Sequence, residues 1–170
     1  KREYLRLGVR VNGYEKRKKL PRNLREQLKG NKGNLNDSPL YRSQWRLSKV
    51  NFEYKLCDSY PRYLAVPRLV TDDELMKAKG LRNLDRIPIL SFVHPDTYAA
   101  ICHSSQLIVG FHGPRNCYDE KIVESIQSGG LNQKAKLYFL DCRAPKPIRG
   151  GRGTENLKYY KDCEYEYLSI

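Results

Sequence analysis

Residues 87–102 read Ile87-Pro88-Ile89-Leu90-Ser91-Phe92-Val93-His94-Pro95-Asp96-Thr97-Tyr98-Ala99-Ala100-Ile101-Cys102, two β-prone runs separated by a polar turn. Branched and aromatic side chains suit the pleated surface of a sheet, and His-Pro-Asp-Thr reverses a chain. The pattern predicts strands over Ile87–Val93 and Tyr98–Cys102, joined as a hairpin. Helical signals lie on either side of it. Upstream, Thr71-x-x-Glu74 is a capping box, which predicts a helix from Asp72 to Lys79 ended by Gly80. Downstream, Ile122, Val123 and Ile126 fall on one face of a helix expected from Tyr118 to Gln127, with Gly129 past its end.

Further out, Phe52-Glu53-Tyr54-Lys55-Leu56-Cys57 alternates as a half-buried strand does, and Tyr63-Leu64-Ala65-Val66 is a short apolar strand stopped by Pro67. Lys136–Leu140 is a strand expected to lie parallel to its neighbour, because a helix precedes it. Residues 142–158 form a Gly-, Pro- and Lys/Arg-rich loop, and Glu164–Ile170 alternates as a last strand. The predicted fold class is α/β, a mixed sheet flanked by helices. The chain stops inside its last strand, so an incomplete domain is expected.

At 170 residues, 39% hydrophobic and 11% aromatic with 13 tyrosines, the chain carries enough apolar surface for one folded core. It has no apolar run of the roughly 18 residues that a membrane helix needs. Lys1-Arg2-Glu3-Tyr4-Leu5-Arg6 lacks the apolar stretch of a signal peptide. The 5 cysteines are odd in number and never at Cys-x-x-Cys spacing, which favours reduced thiols in a cytoplasmic protein. His94, His103 and His112 are too far apart for two to share a helical turn, so neither a metal site nor a cofactor is expected.

The net charge of +13 is uneven. Residues 1–50 hold fifteen Lys or Arg against four Asp or Glu, leaving a nearly neutral remainder. Residues 12–43 read as a basic insertion with its cluster at Lys16, Arg17, Lys18 and Lys19. Within it, Leu20, Leu24 and Leu28 fit a short helix from Pro21 to Gly30. Such an arm suits an anionic lipid surface, a nucleic acid, or plain solvent. Tyr14 is the one aromatic near the cluster, too few for base stacking, and no nucleic acid is expected.

Catalytic signatures are absent. The residue six beyond each cysteine is Tyr63, Ile108, Val123, Ile148 or Ser169, so no Cys-x5-Arg phosphatase loop exists. No Walker-type loop, Gly-x-Ser-x-Gly elbow or His-Glu-x-x-His occurs either. Gly150-Gly151-Arg152-Gly153 reads as a surface loop. Asp119-Glu120, like Asp72-Asp73-Glu74, reads as favourable charge in a helix first turn.

Several motifs together resemble the early part of the myotubularin phosphatase family. They are Trp45-Arg46-Leu47-Ser48-x-Val50-Asn51; Tyr54-Lys55-Leu56-Cys57-Asp58-Ser59-Tyr60-Pro61; Leu81-Arg82-x-x-x-Arg86-Ile87-Pro88; Ile101-Cys102-His103-Ser104-Ser105-Gln106; Arg115-Asn116-x-x-Asp119-Glu120; and Leu140-Asp141-x-Arg143. They follow the family's order along nearly the whole chain outside residues 12–43. The resemblance implies the N-terminal half of a cysteine-dependent phosphatase-like domain. The parent would hydrolyse the 3-phosphate of phosphatidylinositol 3-phosphate and 3,5-bisphosphate, with its Cys-x5-Arg loop beyond Ile170. It further implies peripheral attachment to endosomal, phosphoinositide-containing membranes and assembly with another myotubularin. Asp141 and Arg143 match family positions near the active site. They either form part of the substrate-site wall or support the fold, and Asp141 is not the general acid. His103 stands where the family has Arg, Leu107 where it has Pro, and the Pro after Arg143 is displaced to Pro145. These departures make a pseudophosphatase acting as an adaptor the alternative, ahead of a nucleic-acid-binding module.

Overall fold

The computed structural model describes residues 45–94, 99–108, 115–128, 136–143 and 159–168. In chain order these form β1 (Trp45–Ser48), β2 (Leu64–Pro67), α1 (Asp72–Lys77), a 3-10 turn (Asn83–Asp85), β3 (Ile89–Val93), β4 (Ala100–His103), α2 (Cys117–Gln127), β5 (Leu137–Asp141) and β6 (Cys163–Tyr167). Helices and strands are interspersed, as an α/β pattern requires. The strands do not join into the single mixed sheet expected, however. Among the described residues they form three two-stranded sheets. β1–β2 and β3–β4 are antiparallel, while β5–β6 is parallel with Leu137 opposite Cys163 and Asp141 opposite Tyr167. β5 is thus parallel to the strand that follows it.

The hairpin is present as expected, with Leu90 opposite Cys102 and the N–H of His94 donating to the carbonyl of Ala99 at 2.8 Å. A register shift between Leu90 and Phe92 bends β3. Helix α1 carries the full capping box: the Glu74 N–H donates to Thr71 Oγ1, and the Thr71 N–H donates to the Glu74 carboxylate. Gly80 follows with φ 92°, a conformation that glycine adopts without steric cost. Asn116 caps α2, accepting from the N–H groups of Tyr118 and Asp119, and its own amide donates to Lys77 O at 2.8 Å. Together with a Lys121–Glu74 ion pair at 2.6 Å, this ties the start of α2 to α1.

The sequence reading fails at Phe52–Cys57, which is a series of turns. Phe52 and Tyr54 donate backward to Lys49 O and Asn51 O, Tyr54 is left-handed at φ 61°, and Phe52 is exposed. The cause is Asn51, which is completely buried. Its amide donates to Cys57 O (2.8 Å) and Pro61 O (2.9 Å) and its oxygen accepts from Cys57 N–H (2.9 Å). One side chain thereby satisfies backbone groups that a neighbouring strand would otherwise have to pair.

Three apolar clusters hold these elements. The largest joins Leu56, Tyr60, Leu64, Val66, Val70, Leu75, Ile87 and Ile122, packing α1 and α2 against β2 and β3. Trp45, Ala65, Leu90 and Val93 join β1 and β2 to the hairpin. Leu81, Leu107, Val123 and Tyr160 form the third, against which Leu137 and Phe139 of β5 pack.

Candidate functional site

The third cluster surrounds a polar assembly that the sequence did not announce. Arg82 and Asp119 are buried, their side chains 4% and 0% exposed. They pair through two parallel bonds, Nε to Oδ1 at 2.7 Å and Nη2 to Oδ2 at 2.8 Å. Arg82 Nη1 also donates to Ser104 Oγ (3.1 Å) and Ser105 O (3.0 Å), and the Tyr160 hydroxyl donates to Asp119 Oδ2 at 2.6 Å. Burial works against the charge on Arg82, but the facing carboxylate more than offsets it and the guanidinium stays protonated. Asp119 stands in the first turn of α2, as expected, and is also the acceptor of a buried bidentate clamp. It reaches across 37 residues of chain to Arg82.

This clamp fixes the stretch after β4. Arg82 bridges to Leu107, and Asn83 N–H donates to Gln106 O at 3.0 Å. Ser105 N–H donates to Arg86 O at 3.1 Å, and Ile108 N–H to Leu81 O at 2.8 Å. From this anchored backbone the Gln106 side chain turns toward the carboxyl end of β5. There its Oε1 accepts from Nη1 of Arg143. Arg143 Nε lies 2.8 Å and 3.0 Å from the two oxygens of Asp141, whose Oδ1 also accepts the Arg143 N–H at 3.1 Å. The Tyr165 hydroxyl of β6 donates to Asp141 Oδ2 at 2.6 Å. Asp141 is 8% exposed and Arg143 37% exposed, so the pair sits at the rim of the fold.

These contacts decide what each group can do. Hydrogen bonds from Arg143, and a weaker one from Tyr165, hold the Asp141 carboxyl down at about 2 against the opposing effect of burial. It is ionised at neutral pH and has no proton to donate as an acid. Desolvation, then the hydrogen bond to Asp141, pushes the Tyr165 phenol up to about 12. Cys102, also held up at about 12 by burial, stays a thiol and is no nucleophile. Its neighbour His103 is pulled down to about 4, first by burial and then by the charge of Arg86. The His103 ring meets Ser91 Oγ through Nδ1 and packs edge-on against Tyr60. A neutral ring is the species that fits beside Arg86.

Asp141 and Arg143, singled out from the sequence, are in direct contact. Gln106 and Tyr165 complete their cluster and were missed as site residues. Gln106 lay within a quoted motif, but nothing in its spacing pointed to Arg143. Lys16, Arg17, Lys18, Lys19, the proposed helix at Leu20, Leu24 and Leu28, and Gly150–Gly153 lie outside the described residues. Among the described residues no group of three or more His, Cys, Asp or Glu is placed to hold a metal, and no helix is long and apolar enough to cross a membrane. All five cysteines are free thiols.

The described elements are those of an α/β fold, and comparison with known proteins gives the family. The profile of the myotubularin-like phosphatase domain matches residues 12–170. The chain belongs to that family. It is 39% identical over 131 residues to phosphatidylinositol-3,5-bisphosphate 3-phosphatase MTMR2 of Gallus gallus, an alignment covering 74% of this chain and 23% of that protein. It is 37% identical over 131 residues to myotubularin of Xenopus laevis, covering 75% and 22%. Myotubularin of Rattus norvegicus is 38% identical over 130 residues, covering 74% and 21%. The chain thus spans less than a quarter of the length of these relatives.

Proposed function

We propose that this chain is the N-terminal half of the phosphatase domain of a phosphoinositide 3-phosphatase. In this reading the parent acts on phosphatidylinositol 3-phosphate and 3,5-bisphosphate and carries its Cys-x5-Arg loop outside residues 1–170. The observation that carries it is the 39% identity to a relative named as a phosphatidylinositol-3,5-bisphosphate 3-phosphatase. The geometry supports a supporting rather than a reacting role for the chain. Its cysteines lack the Cys-x5-Arg spacing, and its rim carboxylate Asp141 is tied to Arg143. Asp141 and Arg143 form part of the substrate-site wall. Lys16, Arg17, Lys18 and Lys19 contact anionic headgroups, holding a cytoplasmic protein peripherally on endosomal membranes. Assembly with a second myotubularin belongs to the same reading.

One observation favours a second reading, an inactive adaptor. His103 is neutral and engaged by Ser91 at a place where the resemblance calls for a permanently charged Arg. Phosphate release from phosphatidylinositol 3-phosphate vesicles separates the two. The full-length parent releases phosphate and the 170-residue chain alone releases none. Turnover by the isolated chain would sink the scaffold account, and an inert parent that still binds the lipid would establish the adaptor.

A further inference from the structure

Arg86 is half-buried just ahead of β3, and its guanidinium is held by one edge. Nε donates to Ser59 Oγ at 2.8 Å, while among the described residues neither Nη group has a hydrogen-bond or ion-pair partner. We propose that Arg86 is the centre of a binding site for a phosphate or phosphomonoester, whose oxygens its two Nη groups take side by side. The inference does not depend on the reading of Asp141 and Arg143.

Three observations carry it. One is charge. Of the carboxylates nearest along the chain, Asp85 accepts from Gly80 N–H at 2.9 Å and lies 3.6 Å from Lys79 Nζ. Asp58 is exposed and enters no ion pair among the described residues. The charge of Arg86 falls instead on the buried His103 ring, where it adds to burial in keeping the imidazole neutral. A partly desolvated guanidinium beside neutral Ser59 and His103 costs stability until an anion meets it. Another is preorganisation. Ser59 tethers Arg86 across 27 residues of chain, and its hydroxyl lies 3.1 Å from Cys57 Sγ, which in turn donates to Leu84 O at 3.3 Å. With its Nε edge fixed in this way, Arg86 has little freedom left to lose when an anion binds. The last is strain. Leu84 and Asp85, immediately before Arg86, are left-handed at φ 57° and φ 55°, a conformation that non-glycine residues adopt at a cost. Leu84 is also 63% exposed, so the turn gains little from burying it. Backbone strain of this kind gathers where ligands are held, and here it sits between the Cys57 contact and Arg86.

The test treats the full-length protein with phenylglyoxal, which modifies accessible guanidinium groups, and follows the Arg86 peptide by mass spectrometry. In chloride buffer Arg86 is modified, and millimolar inorganic phosphate slows that modification about tenfold. Phosphatidylcholine vesicles carrying phosphatidylinositol 3-phosphate separate the two sources of the anion. Stronger protection by these vesicles than by phosphate assigns a lipid headgroup, and equal or weaker protection assigns a soluble phosphate ester. Thermal unfolding in the same chloride buffer checks the charge argument. Arg86→Gln melts no lower than the unaltered protein and gains less from added phosphate. An Arg86 that resists phenylglyoxal in chloride, or an Arg86→Gln variant that melts several degrees lower, would show that a carboxylate elsewhere in the full-length protein already pairs with it, and would overturn the proposal. Modification at one rate with and without either anion would overturn it as well.

Discussion

Replacing Arg82 by Met is the sharpest test of how this fold is held. The change keeps most of the buried aliphatic stem and deletes every donor that Arg82 supplies. Asp119, with no exposed side-chain surface, would then face the Tyr160 hydroxyl without its countercharge, and the partners at Ser104 Oγ and Ser105 O would lose their donor. Removing one member of a buried pair costs about 3–5 kcal/mol, chiefly because the orphaned charge remains out of water. A domain of this size has roughly 5–15 kcal/mol in all. The single tryptophan, Trp45, is buried between β1, β2 and β3 and reports unfolding by its fluorescence. With a urea slope of about 2 kcal/mol per molar, the midpoint should fall by roughly 2 M. The double change Arg82→Met with Asp119→Leu should recover at least half of that loss, since an apolar pair of similar volume leaves no charge unpaired. A single-variant loss under about 1 kcal/mol, the range of exposed ion pairs, would refute the reasoning. So would a double variant no better than the sum of its singles.

Two further outcomes are expected. Asn51→Ala should cost about 3 kcal/mol in the same unfolding assay, because Cys57 N–H, Cys57 O and Pro61 O all lose their partner; a loss no larger than that of an exposed surface substitution would show that the turn does not depend on Asn51. His103 binds its proton at about 4 when folded and near 6.5 when unfolded, so below pH 6.5 the unfolded state takes up more protons and stability falls until about pH 4. His103→Gln should flatten the stability profile in that window, and an unchanged slope would mean that another group titrates there.

The legible parts of this fold were those specified within one turn or one hairpin. The capping box at Thr71 and Glu74, the hairpin around His94 and the amphipathic face of α2 are all short-range patterns, and all appear where expected. β1 was not anticipated, because Trp45–Ser48 is only four residues with Arg46 inside it, and its pairing with β2 is settled by burial of Trp45 and Ser48. Phe52–Cys57 carried the right alternation for a strand, and one buried amide overruled it. The candidate site was half legible. Asp141 and Arg143 were reached through the family resemblance of Leu140-Asp141-x-Arg143 and not through their spacing. Their third partner, Gln106, and the Arg82–Asp119 clamp behind it are each joined across 37 residues, a separation that no local pattern encodes.

The five thiols lie at graded depth: Cys117 and Cys142 are exposed, Cys102 and Cys163 partly covered, and Cys57 buried beside Leu84. They amount to a depth gauge already threaded through the molecule. Pulsed alkylation of the unaltered protein, read by mass spectrometry, would mark the outer two at once and the middle two as the strands carrying them fray. Cys57 becomes accessible only when the turn organised by Asn51 comes apart. The order of labelling therefore converts a static arrangement of cysteines into a record of which layer opens first.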